Sequence, residues 1–116
     1  KYKTEQDIDS ENLENFYHGF VLGLLVYVDN DYYIESNKES GLGRYDISII
    51  PKIPDKKGII IEFKRAKKDE YIESAAKRAL KQIEEKKYDE GLKNRGVNNI
   101  VRLGVGFKGK EVKVVY

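Results

Sequence analysis

The sequence predicts an α/β domain in which helices pack against a mixed central sheet. Three observations carry this prediction. A helix-period apolar stripe over residues 10–28 precedes three extended segments, the helical period returns over residues 69–92, and two more extended segments close the chain. A long helix between the third and fourth strands is the connection a parallel pair requires, and it is right-handed by the general rule. At 116 residues there is room for one core, so residues 1–116 read as a single domain.

The elements follow in order. Leu13, Phe16, Tyr17, Phe20, Val21, Leu24 and Leu25 recur at i, i+3, i+4 and i+7, the spacing of a helix buried on one face. Ser10 or Asp9 can cap its start, and Gly19 and Gly23 leave room for a close neighbour. Tyr32 to Glu39 reads as a strand and Gly41-Leu42-Gly43 as a turn. Arg44 to Pro51 is the second strand and Gly58 to Arg65, rich in β-branched residues, the third. Ile72, Ala75, Ala76, Ala79, Leu80 and Ile83 form the stripe of a second helix from Asp69 to about Leu92. The last two strands, about Asn99 to Phe107 and Lys110 to Tyr116, turn tightly at Gly109.

Composition narrows the chemistry. With 40% hydrophobic and 11% aromatic residues the chain is too apolar for a disordered segment. No window approaches the ~18–20 apolar residues of a membrane span, and the charged start lacks a signal-peptide core. The absence of an initiator Met makes the chain look like a piece of a longer protein. Zero cysteines exclude disulfides and thiolate metal sites and suit a cytoplasmic setting, and a single histidine disfavours zinc. Any metal would sit on carboxylate oxygens, which favours Mg2+, Mn2+ or Ca2+. The net charge of +2 conceals an asymmetry: residues 1–40 carry 3 Lys+Arg against 9 Asp+Glu, residues 41–116 carry 19 against 11. A basic later part is compatible with a polyanionic partner and equally with lysines on a solvated helix face.

The informative run is Ile59-Ile60-Ile61-Glu62-Phe63-Lys64. Strand side chains alternate, so Glu62 and Lys64 share a face and Phe63 takes the other. A carboxylate and an ammonium in an Ile-rich strand are costly unless paired or coordinated, and a structural ion pair gives little over apolar replacements. Asp46 lies in the neighbouring strand, where Asp is a poor strand former. Two carboxylates facing each other repel unless a proton or a divalent cation lies between them. Carboxylates, a hard cation and an adjacent lysine are the equipment of metal-assisted phosphodiester hydrolysis. Lys64 would orient or deprotonate the attacking water, or neutralise charge on the phosphate. Glu14 on the first helix and Gln82 on the second border their apolar stripes and would complete the site, although such positions are commonly solvated boundaries.

Glu14, Asp46, Glu62-Phe63-Lys64 and Gln82, in this order, resemble the PD-(D/E)XK nuclease superfamily over about residues 10–107. The stretches Glu14 to Gly19, Ser36 to Asp46 and Ala79 to Tyr88 are similar to the nuclease-like domain found C-terminal to AAA-type ATPase modules in many bacterial proteins. The resemblance implies a restriction-endonuclease-like αβββαβ core. It implies Asp46 and Glu62 as metal ligands, Lys64 as the catalytic lysine, Glu14 as the helix-borne acid holding a water or second metal, and Gln82 as a polar residue completing the pocket. Tyr88 falls at a position often associated with that last motif. One departure is Tyr45, where the pattern often has Pro before the aspartate.

The function expected is therefore an Mg2+- or Mn2+-dependent nuclease, acting on DNA through its backbone. Lys67, Lys68, Lys77, Arg78 and Lys81 are the expected phosphate contacts. The partners implied are nucleic acid and an AAA-type ATPase domain in the same chain, with a homodimer suited to cutting two strands. The alternative is a catalytically silent nucleic-acid-binding or interaction module serving that ATPase, since a fold does not guarantee turnover. His18, i+4 from Glu14, reads as a packing residue at the rim; Glu35 and Glu39 read as solvated edge charge.

Overall fold

A computed structural model describes residues 4–28, 30–39, 44–53, 55–86 and 88–116. The order is α1 (Glu5–Tyr27), β1 (Tyr32–Glu39), β2 (Arg44–Pro51), β3 (Gly58–Arg65), α2 (Ile72–Glu85), α3 (Tyr88–Asn94), β4 (Ile100–Lys108) and β5 (Glu111–Val115). The five strands form one sheet in the order β1-β2-β3-β4-β5. Only the β3–β4 pair is parallel, across the α2–α3 connection; the other three are antiparallel. The mixed α/β architecture predicted from the periodicities is the one observed.

The two faces of the sheet have separate cores. Tyr45, Ile47, Ile49, Ile61, Phe63, Val105 and Phe107 point towards α1 and pack against Leu13 and Tyr17. The Tyr17 ring stands at 88° to Phe63 with centroids 5.4 Å apart, an edge-to-face contact favoured by the ring quadrupoles. Ile50 and Ile60 point the other way and meet Ile83, Leu92 and Val97. Asp46, Glu62 and Lys64 lie on this second face by strand alternation.

α2 lies unusually close to the sheet. Ala75, Ala76 and Ala79 are buried on its inner side, and Gly104 and Gly106 face it from β4. A Cβ on Gly104 would lie 2.2 Å from the Ala76 carbonyl oxygen, and one on Gly106 2.3 Å from that of Ile72. In the parallel register Gly104 neighbours Glu62 and Gly106 neighbours Lys64. The side-chain-free strip is thus beside the two charged residues, and it lets the helix come down next to them.

Four expectations need correction. α1 begins at Glu5, so Asp9 and Ser10 lie within the helix and do not cap it. Its polar opening turns carry no apolar stripe to mark them. Gly19 and Gly23 have nothing within 4 Å of a Cβ position, so no described element approaches there. Leu25 is 61% exposed, because the last turn of α1 extends beyond the core it shares with the sheet. The helix expected over Asp69–Leu92 is two, with Lys86 ending α2 and α3 starting at Tyr88. Neither Gly nor Pro marks that break, and Tyr88 and Leu92 continue the apolar spacing through it. The Gly41-Leu42-Gly43 turn lies outside the described residues. Gly109, at φ 60°, opens the two-residue turn between β4 and β5 as expected.

Candidate active site

Asp46 and Glu62 are direct cross-strand partners in the β2–β3 register. They are 3% and 0% exposed, and they are the buried charged residues of the described chain. Cross-strand neighbours stand ~4.5–5.5 Å apart at Cβ, so two carboxylates here are forced close together in a medium that solvates them poorly.

Asp46 is held from several sides. Asn37, its partner on β1, donates from Nδ2 to Oδ1 at 3.2 Å. The Tyr88 hydroxyl donates to Oδ2 at 3.2 Å. Across the sheet, the Tyr17 hydroxyl donates to the Asp46 carbonyl at 2.8 Å and lies 3.2 Å from that of Asn37. Burial pushes the Tyr17 phenol above its usual range, so it stays a neutral donor. One carboxylate oxygen each for Asn37 and Tyr88 leaves lone pairs on both for another ligand.

Two ammonium groups approach Glu62. Lys64 Nζ lies 3.9 Å from Oε1, as expected from side chains two apart on one strand. Lys86 Nζ, from the C-terminal cap of α2, lies 3.7 Å from the same oxygen. Gln82 sits one turn before Lys86, and its Oε1 is buried with no hydrogen bond. Lys86 is the residue the sequence reading missed. Within Glu84-Glu85-Lys86-Lys87 it reads as solvated charge, and only its i+4 spacing from Gln82 marks the inner face.

Glu14 is placed elsewhere. It accepts a hydrogen bond from Lys38 Nζ, which also lies 2.8 Å from His18 Nε2. Lys38 pairs with Tyr45, whose side chain faces α1. The Lys38 ammonium holds the Glu14 carboxyl below the usual range. Glu14 and His18 therefore belong to an ion cluster on the α1 side, and no described contact joins them to Asp46 or Glu62. Glu35 is exposed and paired with Arg95 at 2.6 Å; the side chain of Glu39 lies outside the described residues.

Of the basic residues expected to face phosphate, Arg78 is committed internally. Its Nε and Nη2 grip Glu70 at 2.7 and 2.8 Å, and Nη2 also donates to the Arg65 carbonyl at 3.1 Å. This grip pulls the Glu70 carboxyl down to about 2. Lys77 and Lys81 are exposed on α2, each within 4 Å of a carboxylate one turn away. Lys67 and Lys68 line an open groove of about 590 Å³ with Tyr71 and Ser74, just beyond the end of β3.

The donor set fits a hard divalent cation. It has two facing buried carboxylates, and on α2, one turn before Lys86, the Gln82 amide oxygen is buried with no hydrogen bond. Among the described residues no group of three or more His, Cys, Asp or Glu gathers, so two carboxylates are the acidic complement.

A mixed sheet that sets an aspartate and a glutamate opposite each other on its second and third strands, with a lysine beside the glutamate, carries the groups that metal-assisted phosphodiester hydrolysis uses. The family model of the PD-(D/E)XK nuclease superfamily matches residues 12–116, and the chain belongs to that superfamily. Its members are generally nucleases or phosphodiesterases that use divalent metals. Neither the curated proteins nor the solved structures offer a match. No helix among the described residues is long and apolar enough to cross a membrane.

Proposed function

We propose that this domain hydrolyses phosphodiester bonds in DNA with Mg2+ or Mn2+ held by Asp46 and Glu62. The observation that carries the reading is the cross-strand pairing of these two buried carboxylates beside Lys64. A cation bound there supplies electrophilic polarisation of the phosphate. Asn37 and Tyr88 fix the Asp46 carboxylate so that little reorganisation accompanies binding. Lys64 orients the attacking water or neutralises charge on the phosphate. Gln82 completes the pocket from α2. Lys67, Lys68, Lys77 and Lys81 contact the phosphate backbone, and Arg78 is left to brace the loop before α2. The chain is read as one domain of a longer bacterial cytoplasmic protein that carries an AAA-type ATPase module, supported by the three stretches quoted above. A homodimer would set two sites across a duplex.

One observation favours the silent-module alternative: Glu14, the third acid of the expected set, is tied to Lys38. Cleavage decides between the two. Supercoiled and linear DNA are incubated with the intact protein and Mg2+, Mn2+ or chelator, beside Asp46→Asn and Glu62→Gln. Metal-dependent nicking that both variants lose supports the nuclease. Salt-sensitive DNA binding without metal, unchanged in both variants and without cleavage, supports the silent module.

A further inference from the structure

We propose that Lys86 is the internal counter-ion of Glu62, holding the ground a divalent cation must take. The inference rests on the metal site proposed above. Lys86 Nζ is buried, makes no hydrogen bond, and lies 3.7 Å from Glu62 Oε1. A buried ammonium without hydrogen bonds is expensive, and Glu62 is the carboxylate within 4 Å of it. Among the described residues its neighbours offer little else. The Tyr88 ring lies 5.9 Å away, at the limit of a cation–π contact. Lys64 reaches the same oxygen from the interior of the paired strand β3, whereas Lys86 stands at the C-cap, one residue past the end of α2. In the metal-free domain the ammonium offsets repulsion between Asp46 and Glu62. When a cation takes Glu62, Lys86 is displaced towards the site mouth and is then placed to meet substrate phosphate. Lys86 is in this sense a positioning residue: it protects the empty site and is exchanged for the ion.

The sign of one measurement separates this role from others. Mn2+ is titrated calorimetrically into the intact protein and into Lys86→Gln, Lys86→Met, Lys86→Arg and Asp46→Asn, without DNA, and metal-free melting temperatures are recorded. Removing the competing charge should tighten Mn2+ binding at least tenfold: the bare attraction of a unit charge ~4 Å away at an effective dielectric of ~20 corresponds to about a thousandfold, and rehydration of the displaced ammonium offsets most of it. It should also lower the metal-free melting temperature. Lys86→Arg, which keeps the charge, should bind as wild type. Unchanged or weaker Mn2+ binding in both neutral variants overturns the proposal while leaving the metal site standing, provided wild type binds and Asp46→Asn does not. If no variant binds Mn2+, the site reading fails and this proposal fails with it. If the glutamine variant does not fold, the methionine variant, which keeps the stem's packing, gives the same comparison.

Discussion

Adding one methyl group to Gly104 tests whether the site depends on how closely α2 sits on the sheet. An Ala Cβ there would stand 2.2 Å from the Ala76 carbonyl oxygen and 2.7 Å from the Leu80 nitrogen. Both are backbone atoms, so no rotamer change relieves the overlap. Restoring contact near ~3.5 Å lifts the helix by about 1 Å. Overpacking of this kind costs about 1–3 kcal/mol, and at ~3–5 °C per kcal/mol for a domain of this size Gly104→Ala should melt roughly 5–10 °C below wild type. The lift also carries Gln82 and Lys86 away from Glu62, so Mn2+ affinity should change with stability. Gly91 supplies the control. It lies in α3 with nothing within 4 Å of a Cβ position, so the same substitution should stabilise by about 0.5–1 kcal/mol. Melting curves followed by circular dichroism, with calorimetry for Mn2+, report both effects. A Gly104→Ala protein as stable as wild type would refute the close seating of α2.

Three further outcomes follow from the contacts. The Glu70 carboxyl, held at about 2 against an ordinary 4.5, contributes stability that is full above pH ~4.5 and is lost as pH falls towards 2. Allowing for solvent around Arg78, the pair is worth about 1–2 kcal/mol, so Arg78→Ala should lose that much in urea unfolding at pH 7 and show a flatter acid limb; a limb as steep as wild type would contradict the assignment. Tyr88→Phe removes a donor to Asp46 and should weaken Mn2+ binding about tenfold while costing stability no more than ~1 kcal/mol. Unaltered metal affinity would show that Tyr88 does not orient the aspartate. Glu14→Gln should bind Mn2+ nearly as wild type, in contrast to Asp46→Asn. Loss of binding in both would mean that Glu14 leaves Lys38 when metal enters.

What was legible in the chain is what repeats. Period-two alternation placed Tyr45, Ile47 and Ile49 on one face and Asp46 on the other, and did the same for Phe63 against Glu62 and Lys64. Adjacency of the two strands then set the carboxylates opposite each other. What was not legible depends on partners distant in sequence. Glu14 borders its stripe as helical geometry says, but its fate is decided by Lys38 on β1, and nothing local to either residue announces the pair. Lys86 escaped notice because a lysine's long stem lets it be buried or solvated from the same backbone position. Arg78 looked like one of several surface cations until Glu70 and the Arg65 carbonyl claimed it.

The parallel joint between β3 and β4 has a consequence for how the protein comes into being. The ladder that faces Asp46 with Glu62 closes across a short loop, so it is a local event. The cover over that pair is not local. It comes from α2, whose close seat is formed by β3 together with the glycines of β4, a strand that follows the helix in the chain. In chain order the strands that carry the two acids, and α2 itself, come before the strand that completes the seat of that helix. A chain halted before β4 therefore lacks the glycine strip on which the helix bearing Gln82 and its cap Lys86 comes down beside the two acids.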